Sequence, residues 1–324
     1  MSQASDWAFP DDLQPDPDEL GFDLESALDS VVSLRAEIPD DAFTARVLGT
    51  ERAGNAVVIR DDGLLLTIGY LITEASSIWI TTNRGTVVPG HALAYDQATG
   101  FGLVQPLGRL DLAPLTRGSI ASCHVGDDVV VAGQGGRAHA LSAKVLAKRE
   151  FAGYWEYVLD EAVFTAPAHP QWGGAAMIDR DGQLLAIGSL LVQEQLDKET
   201  IQGNMLVPID LVEPILDDLV NVGRARRAAR PWLGMYTTEI EGRLVVAGLA
   251  PGAPAERAAV QVGDQVIEVA GEPVTGLADM FRRVWRLGPA GTEVSLTVVR
   301  KGAVTRIQLG SADRQDFLKK PSLH

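Results

Sequence analysis

The sequence predicts a mainly β protein, built from one long β-rich region and a smaller module near the C-terminal end. Residues 30–208 consist of short runs rich in Val, Ile, Leu and Thr, separated by Gly, Asp and Asn turns. No run of helical period exceeds three turns before Asp210. The 324 residues are 46% hydrophobic and 22% charged, enough for two or three compact cores. We therefore expect an all-β barrel or sandwich, followed by a second domain.

The N-terminal segment carries most of the negative charge. Residues 1–41 hold twelve acids and one base, a net charge of -11 out of -15 for the chain. A segment so rich in acids and prolines buries too little apolar surface to offset its ordering entropy, so residues 1–25 are predicted to be an acidic, disordered tail. The alternative is an anchor, in which Trp7, Phe9 and Phe22 dock on a neighbouring subunit.

The sequence gives no sign of export, membrane insertion or a cofactor. The N-terminus has no basic region followed by an apolar core, and the most apolar stretch, 63–72, is too short to span a bilayer. We therefore expect a cytoplasmic location and no membrane span. Cys123, the only cysteine, lies beside His124 without the spacing of a zinc cluster, so neither a disulfide, a metal nor an organic cofactor is implied.

The elements follow in order. Predicted strands include 56–60, 64–67 and 78–82, and the first amphipathic helix is predicted over 211–222. The four arginines that follow indicate a solvated linker; in a chain of net charge -15 we do not expect nucleic acid as a partner. The predicted boundaries are a tail at 1–25, a barrel domain at 26–220, a linker at 221–230, a module at 231–311 and a final tail at 312–324.

Two consecutive segments resemble the HtrA/DegP family of trypsin-fold proteases. Residues 54–59 read GNAVVI and residues 61–67 read DDGLLLT, where the family has G-S-G-φ-φ-I and then D-G-φ-φ-L-T-N-A-H. The family's general-base histidine falls on Tyr70. A phenol with an ordinary pKa near ~10 is a poor proton acceptor at neutral pH, so the resemblance implies that the base is lost.

Two further landmarks of the family also lack their chemistry. The segment 96–105 places Gly100 where an aspartate orients the histidine, and the segment 168–176 places Trp172 where the nucleophilic serine belongs. The oxyanion hole of this fold takes one backbone N–H from two residues before the nucleophile. That position is Pro170, which has no N–H.

The framework around these positions is retained. Residues 184–188 resemble the strand after the nucleophile loop, and residues 205–210 resemble the family's G-F-A-I-P-φ-D segment. A PDZ-like module follows, so the resemblance extends over residues 30–311. It implies a chymotrypsin/trypsin-like double β-barrel followed by a PDZ domain.

The PDZ-like module indicates a peptide site. Residues 232–235 resemble the carboxylate-binding loop, in which successive backbone N–H groups form a nest for a C-terminal carboxylate. Residues 250–258 and 262–267 match other PDZ segments of the family, and 277–287 is predicted to be the groove helix. The candidate peptide-binding residues are Trp232, Leu233, Gly234, Met235, Leu277 and Met280.

These features predict a catalytically inactive pseudoprotease that binds protein C-termini or unfolded peptides as a scaffold, adaptor or chaperone. One alternative is a serine endopeptidase with an unorthodox site. Another is a regulatory subunit of an active paralogue, since the family assembles into trimers; a homotrimer or a mixed oligomer would then form. His169, three residues before Trp172, is expected to face solvent.

Overall fold

The computed structural model describes residues 7–196 and 199–319, which form two compact units. The first unit contains the described residues up to Arg149, those among 161–225, and Lys319. The second contains Glu150–Asp160 and Arg226–Leu318. The protein is mostly β, with 42% strand and 17% helix, and the predicted fold class is confirmed.

The first barrel of unit 1 is a closed antiparallel sheet of six strands, in the order β1-β2-β3-β6-β5-β4. Leu34, Leu65, Leu66 and Phe101 are fully buried in its apolar interior. Leu65 and Leu66 are neighbours in the sequence, so the strand that carries them is covered on both faces. The strands are β1 (Val31–Glu37), β2 (Glu51–Val58), β3 (Leu65–Ile68), β4 (Ser77–Thr81), β5 (Val87–Tyr95) and β6 (Phe101–Pro106).

The second barrel has the same number of strands, in the order β10-β11-β12-β9-β8-β7. Val131, Leu141, Val163 and Leu206 fill its core together with Cys123, a buried thiol whose pKa is raised by burial. The strands are β7 (Asp128–Ala132), β8 (Ala140–Gly153), β9 (Tyr157–Ala166), β10 (Ala176–Ile178), β11 (Leu184–Leu196) and β12 (Glu199–Pro208).

The helices of unit 1 are short: α1 (Leu24–Asp29), α2 (Ala45–Leu48) and α3 (Leu216–Val222). The helix predicted over 211–222 is therefore shorter than expected, with a separate 3₁₀ turn at Ile209–Leu211. Pro214 explains the break, because proline has no N–H to donate and restricts the residue before it.

The N-terminal segment differs from the predicted disordered tail over residues 7–25. It contains 3₁₀ turns at Asp11–Leu13 and Pro17–Glu19, and the Phe9 N–H donates to the Ala138 carbonyl at 2.9 Å. Phe9 and Leu13 pack against the core of the second barrel. These few apolar side chains anchor the acidic segment on its own chain, whereas the alternative prediction placed the anchor on a neighbouring subunit.

Unit 2 is a sheet in the order β13-β14-β15-β17-β18, with β16 beside β15. Its core includes Leu244, Val246, Phe281 and Val298. The strands are β13 (Met235–Ile240), β14 (Arg243–Leu249), β15 (Gln265–Val269), β16 (Glu272–Pro273), β17 (Glu293–Arg300) and β18 (Ala303–Gly310), with helices α4 (Pro254–Arg257) and α5 (Leu277–Arg286).

The composition of unit 2 departs from the predicted boundaries in one respect. Residues 150–160, the tip of the β8–β9 hairpin, belong to unit 2, although the sequence placed them within 26–220. Val158 lies in the core of unit 2 and Ala152 packs against it. The apolar surface of this tip is therefore buried by the PDZ-like sheet.

Candidate functional site

Three of the four positions at which the family's chemistry is predicted to be missing line one cleft of unit 1. Tyr70, Pro170 and Trp172 surround a space of about 360 Å³, together with Asn55. Gly100 does not line this cleft; its carbonyl accepts the N–H of Gly69 at 2.7 Å, directly before Tyr70. The structure thus brings together the sequence positions predicted to replace the base and the nucleophile.

Tyr70 is held in the cleft by a backbone carbonyl. Tyr70 lies in the 3₁₀ turn Gly69–Leu71, and its hydroxyl donates to the Ser189 carbonyl at 2.8 Å. Trp172 lines the same cleft. Burial raises the pKa of Tyr70 above its ordinary value. The phenol therefore stays protonated at neutral pH and cannot accept a proton from a nucleophile.

The Gly100 segment forms a closed turn. Gly100 has φ +82°, the left-handed conformation that favours glycine, and its N–H donates to the Asp96 carbonyl at 2.8 Å. The Asp96 carboxylate accepts from the N–H and the hydroxyl of Thr99, at 2.9 and 2.8 Å. The carboxylate of Asp96, four residues before Gly100, therefore forms hydrogen bonds within its own turn.

Asn55 fixes the loop that carries a nucleophile in the protease family. Its Nδ2 donates to the Gln171 carbonyl at 2.8 Å, and its Oδ1 accepts the N–H of Gln134 at 2.9 Å. The Asn55 backbone N–H donates to the Gly173 carbonyl at 2.7 Å, and Gly174 donates to Gly188 at 2.8 Å. The sequence analysis did not single out Asn55; its only signal was an amide side chain within a strand of otherwise apolar residues.

His169 is buried, which contradicts the expectation that it faces solvent. Its Nδ1 accepts the N–H of Gln171 at 3.1 Å, so Nε2 carries the proton and donates to the His139 carbonyl at 2.9 Å. The rings of Trp7 and Phe9 lie 5.9 and 5.2 Å away. Burial lowers the pKa of His169 to about 4. Both ring nitrogens are hydrogen-bonded, so His169 has no free nitrogen with which to act as a general base.

The predicted carboxylate-binding loop of unit 2 holds a carboxylate. The backbone N–H groups of Leu233, Gly234 and Met235 donate to the side chain of Glu156, at 3.0, 2.7 and 3.1 Å. Gly234 permits this arrangement, because its φ is +71° and a Cβ there would lie 2.2 Å from Ala253. Sequence analysis identified the loop but not Glu156.

Glu156 lies at the tip of the β8–β9 hairpin and is 7% exposed. Burial raises its pKa to about 7, although the three N–H groups act in the opposite direction. The same tip pairs with the edge strand, since the Thr237 N–H donates to the Tyr154 carbonyl at 3.2 Å. Arg282 on α5 forms ion pairs with Glu150 and Asp160, on the two strands of the hairpin.

The remaining predicted peptide-binding residues divide into two groups. Leu277 lines a groove of about 630 Å³ beside the hairpin tip. Trp232 is buried against Phe317, with ring centroids 4.9 Å apart. Met280 is 1% exposed and lies in the core, so it differs from the prediction of a groove residue. On α5, Leu277 lines the groove and also packs against the core of unit 2, whereas Met280 lies within that core.

The described residues contain neither a metal-binding cluster nor a membrane-spanning helix. Within 7–196 and 199–319, no group of three or more His, Cys, Asp or Glu side chains could hold a metal ion. In the same part of the chain, no helix has the length and apolar character needed to cross a membrane.

Sequence comparisons match both units to known families. A family model of the trypsin-like peptidase domain matches residues 54–187, and one of the PDZ domain matches residues 231–309. The serine endoprotease DegS of Haemophilus influenzae is 22% identical over 263 residues, covering 80% of this chain and 77% of DegS. A probable periplasmic DegP-like endoprotease of Halomonas elongata is 23% identical, and this chain spans 57% of its length. The serine protease PepD of Mycobacterium tuberculosis is 26% identical, with 61% of its length covered.

Solved structures show the same fold. The HtrA-type protease AlgW with a decapeptide matches with a TM-score of 0.53 and 17% identity, covering 93% of this chain and 100% of that chain. A serine endoprotease from Yersinia pestis matches with a TM-score of 0.52 and 19% identity, covering 91% and 99%. The chain therefore combines a trypsin-like peptidase domain with a PDZ domain and is homologous to the HtrA, DegP and DegS serine proteases.

Proposed function

We propose that this protein is a non-catalytic HtrA homologue that binds protein C-termini or extended peptides through its PDZ domain, as a scaffold, adaptor or chaperone. One observation carries the proposal: the N–H groups of residues 233–235 converge on a single carboxylate. A chain end presents the same group, and the neighbouring edge strand β13 can accept it as an added strand.

The cleft of the first unit supports the absence of catalysis. Among the described residues that line it there is no imidazole, carboxylate or thiol. A serine nucleophile requires a neighbouring base, and the buried Tyr70 phenol does not supply one. Pro170 removes a further donor from the loop in which an oxyanion hole would form.

The relatives support a class of ligand but not the predicted cellular location. The AlgW structure contains a decapeptide, which supports peptide binding as a function to test here. Several relatives are named as periplasmic proteases, so they give no support to the predicted cytoplasmic location. Assembly into a homotrimer, or with an active paralogue, stays a prediction.

The catalytic part is tested with the full chain, an active-site-directed fluorophosphonate and an unfolded protein substrate. We expect no labelled residue and no turnover above buffer. A serine that is labelled in the folded protein but not after denaturation, accompanied by turnover, would establish the endopeptidase alternative instead.

The binding part is tested with pairs of fluorescent peptides that differ only at the C-terminus, as a free acid or an amide. Because the loop recognises a carboxylate, we expect the acid to bind at least tenfold more tightly, about 1.4 kcal/mol. Equal affinity for acid and amide would contradict the proposed function.

A further inference from the structure

The carboxylate that the PDZ loop holds belongs to the protein itself. We propose that the hairpin tip 150–160 is an internal ligand of the groove, and that a C-terminal ligand binds only by displacing it. This inference rests on the proposed function, because it concerns the regulation of the same loop.

Glu156 makes the contacts that a chain end would make. Its carboxylate receives all three N–H groups of the loop, and the Tyr154 carbonyl receives the N–H of Thr237 on the edge strand. A carboxylate in the loop and a backbone bond to the edge strand are the two marks of a bound C-terminal peptide. The hairpin satisfies both with residues that are two positions apart.

The hairpin tip is held on more than one side. Val158 is buried in the core of the PDZ unit, and Arg282 bridges Glu150 and Asp160. Glu156 itself has φ +62°, an unfavourable conformation for a residue with a side chain, which persists only where surrounding contacts require it. These contacts indicate a specific occupant of the groove.

An external ligand and Glu156 exclude each other. Three N–H groups already bonded to one carboxylate have no second hydrogen to offer, and a second carboxylate beside the first would be repelled. The apparent dissociation constant for a ligand is the intrinsic constant divided by the fraction of molecules with an open loop. A hairpin docked in about nine molecules of ten already weakens binding about tenfold.

The experiment compares Glu156→Ala with the unaltered full chain, using the peptide pairs described above. We expect the free-acid peptide to bind at least tenfold more tightly to Glu156→Ala. Glu161→Ala is the matched control: it removes an exposed glutamate of the same hairpin that pairs with Lys148 instead of the loop. We expect it to leave the affinity unchanged.

A second measurement keeps the two proposals separate. Amide hydrogen exchange at residues 233–235 should accelerate in Glu156→Ala and stay unchanged in Glu161→Ala, because only Glu156 protects those N–H groups. Unchanged exchange and affinity in Glu156→Ala, with the preference for a free acid kept, would overturn the internal ligand and leave the proposed function standing. Faster exchange without any preference for a free acid would support the internal ligand and reject the proposed function.

Discussion

The cleft of the peptidase unit and the loop of the PDZ unit differ in the groups that occupy them. In the cleft, Tyr70 and Trp172 lie where the family resemblance predicts a base and a nucleophile, and the Tyr70 hydroxyl donates to the Ser189 carbonyl. In the loop, the backbone donors are intact and an internal carboxylate occupies them. Under the proposed function, the cleft would regain activity only by mutation, whereas the loop would bind a ligand as soon as Glu156 leaves it.

The two regions also bury titratable groups with opposite consequences. Burial lowers the pKa of His169 to about 4 and raises that of Glu156 to about 7. In both cases burial disfavours the charged form. The charged form of His169 is a cation, so acid destabilises its buried state. The charged form of Glu156 is an anion, so acid stabilises its buried state.

Gly234→Val should have the largest effect. A side chain at φ +71° is strained and would collide with Ala253, so we expect a loss of about 2–4 kcal/mol in stability and no binding of the free-acid peptide. Urea unfolding and peptide titration measure both. Gly242→Val is the control, since Gly242 also has a positive φ, +73°, but no atom lies within 4 Å of its added Cβ. Equal losses in the two variants would show that strain alone, without the collision, explains the effect.

Acid should destabilise the peptidase unit through His169. Its folded pKa of about 4 is below its ordinary value of 6.5, so the stabilisation is fully present above pH 6.5 and is lost as the pH falls towards 4. We expect a slope of up to about 1.4 kcal/mol per pH unit, measured by urea unfolding at several pH values.

The His169→Gln variant should lose that part of the slope, while His124→Gln, at an exposed position, should retain it. A slope that is the same in both variants would assign the acid sensitivity to other groups.

Asn55→Ala should cost about 1–3 kcal/mol, because it leaves the Gln134 N–H and the Gln171 carbonyl without their buried partner. Thermal unfolding measures the loss. Asn221→Ala is the control, since its side chain bonds only to the exposed Asp217 carbonyl, and we expect a change below about 0.5 kcal/mol. A neutral Asn55→Ala would show that the cleft loop is held by its backbone bonds alone.

The docking of Glu156 should respond to pH in the opposite sense. With its pKa raised from 4.5 to about 7, docking is strongest below pH 4.5 and weakens as the pH rises through 7. Arg314 favours the charged form, and Tyr236 faces the carboxylate as a neutral phenol whose own pKa burial raises. Since the three N–H groups also offset part of the burial, we expect only a few-fold change.

The measurement is the protection of the amides of residues 233–235 against hydrogen exchange, relative to Glu156→Gln at the same pH. The amide side chain does not titrate, so the protection in the unaltered protein divided by that in Glu156→Gln isolates Glu156. A ratio that rises with pH would contradict the sign given above.

Restoring the three triad residues should have the smallest effect. We expect Tyr70→His, Gly100→Asp and Trp172→Ser together to give no turnover of an unfolded substrate. Pro170 still offers no N–H, and aspartate at φ +82° is strained. Turnover by this triple variant would break the contrast between a site that is erased and one that is occupied.

The sequence predicted what local patterns encode. Short apolar runs separated by glycine turns predicted the β class, and the family resemblance implied that Tyr70, Pro170 and Trp172 share one site. Strand and turn preferences act among residues that are close in the sequence, so the β class follows from local signals.

The features that the sequence did not predict depend on single contacts between residues far apart in the chain. Glu156 and its loop are 77 to 79 residues apart, and one glutamate in a hairpin leaves no periodic signal. The same holds for the tail, where Phe9 reaches Ala138 across the sequence. The acidic composition of that segment predicted disorder, because its aromatic side chains are few. Those aromatic side chains nevertheless determine how the segment packs.

The path of the chain limits how the PDZ domain can be transferred into another protein. The polypeptide changes unit after Arg149, Asp160, Ala225 and Leu318, so neither unit is one continuous segment. A fragment that begins at the predicted linker, 221–230, would contain the N–H groups of residues 233–235 but not Glu156. Its carboxylate-binding loop would therefore be unoccupied from the start. Any transfer of this domain that preserves its regulation must therefore take eleven residues, 150–160, from the middle of another domain.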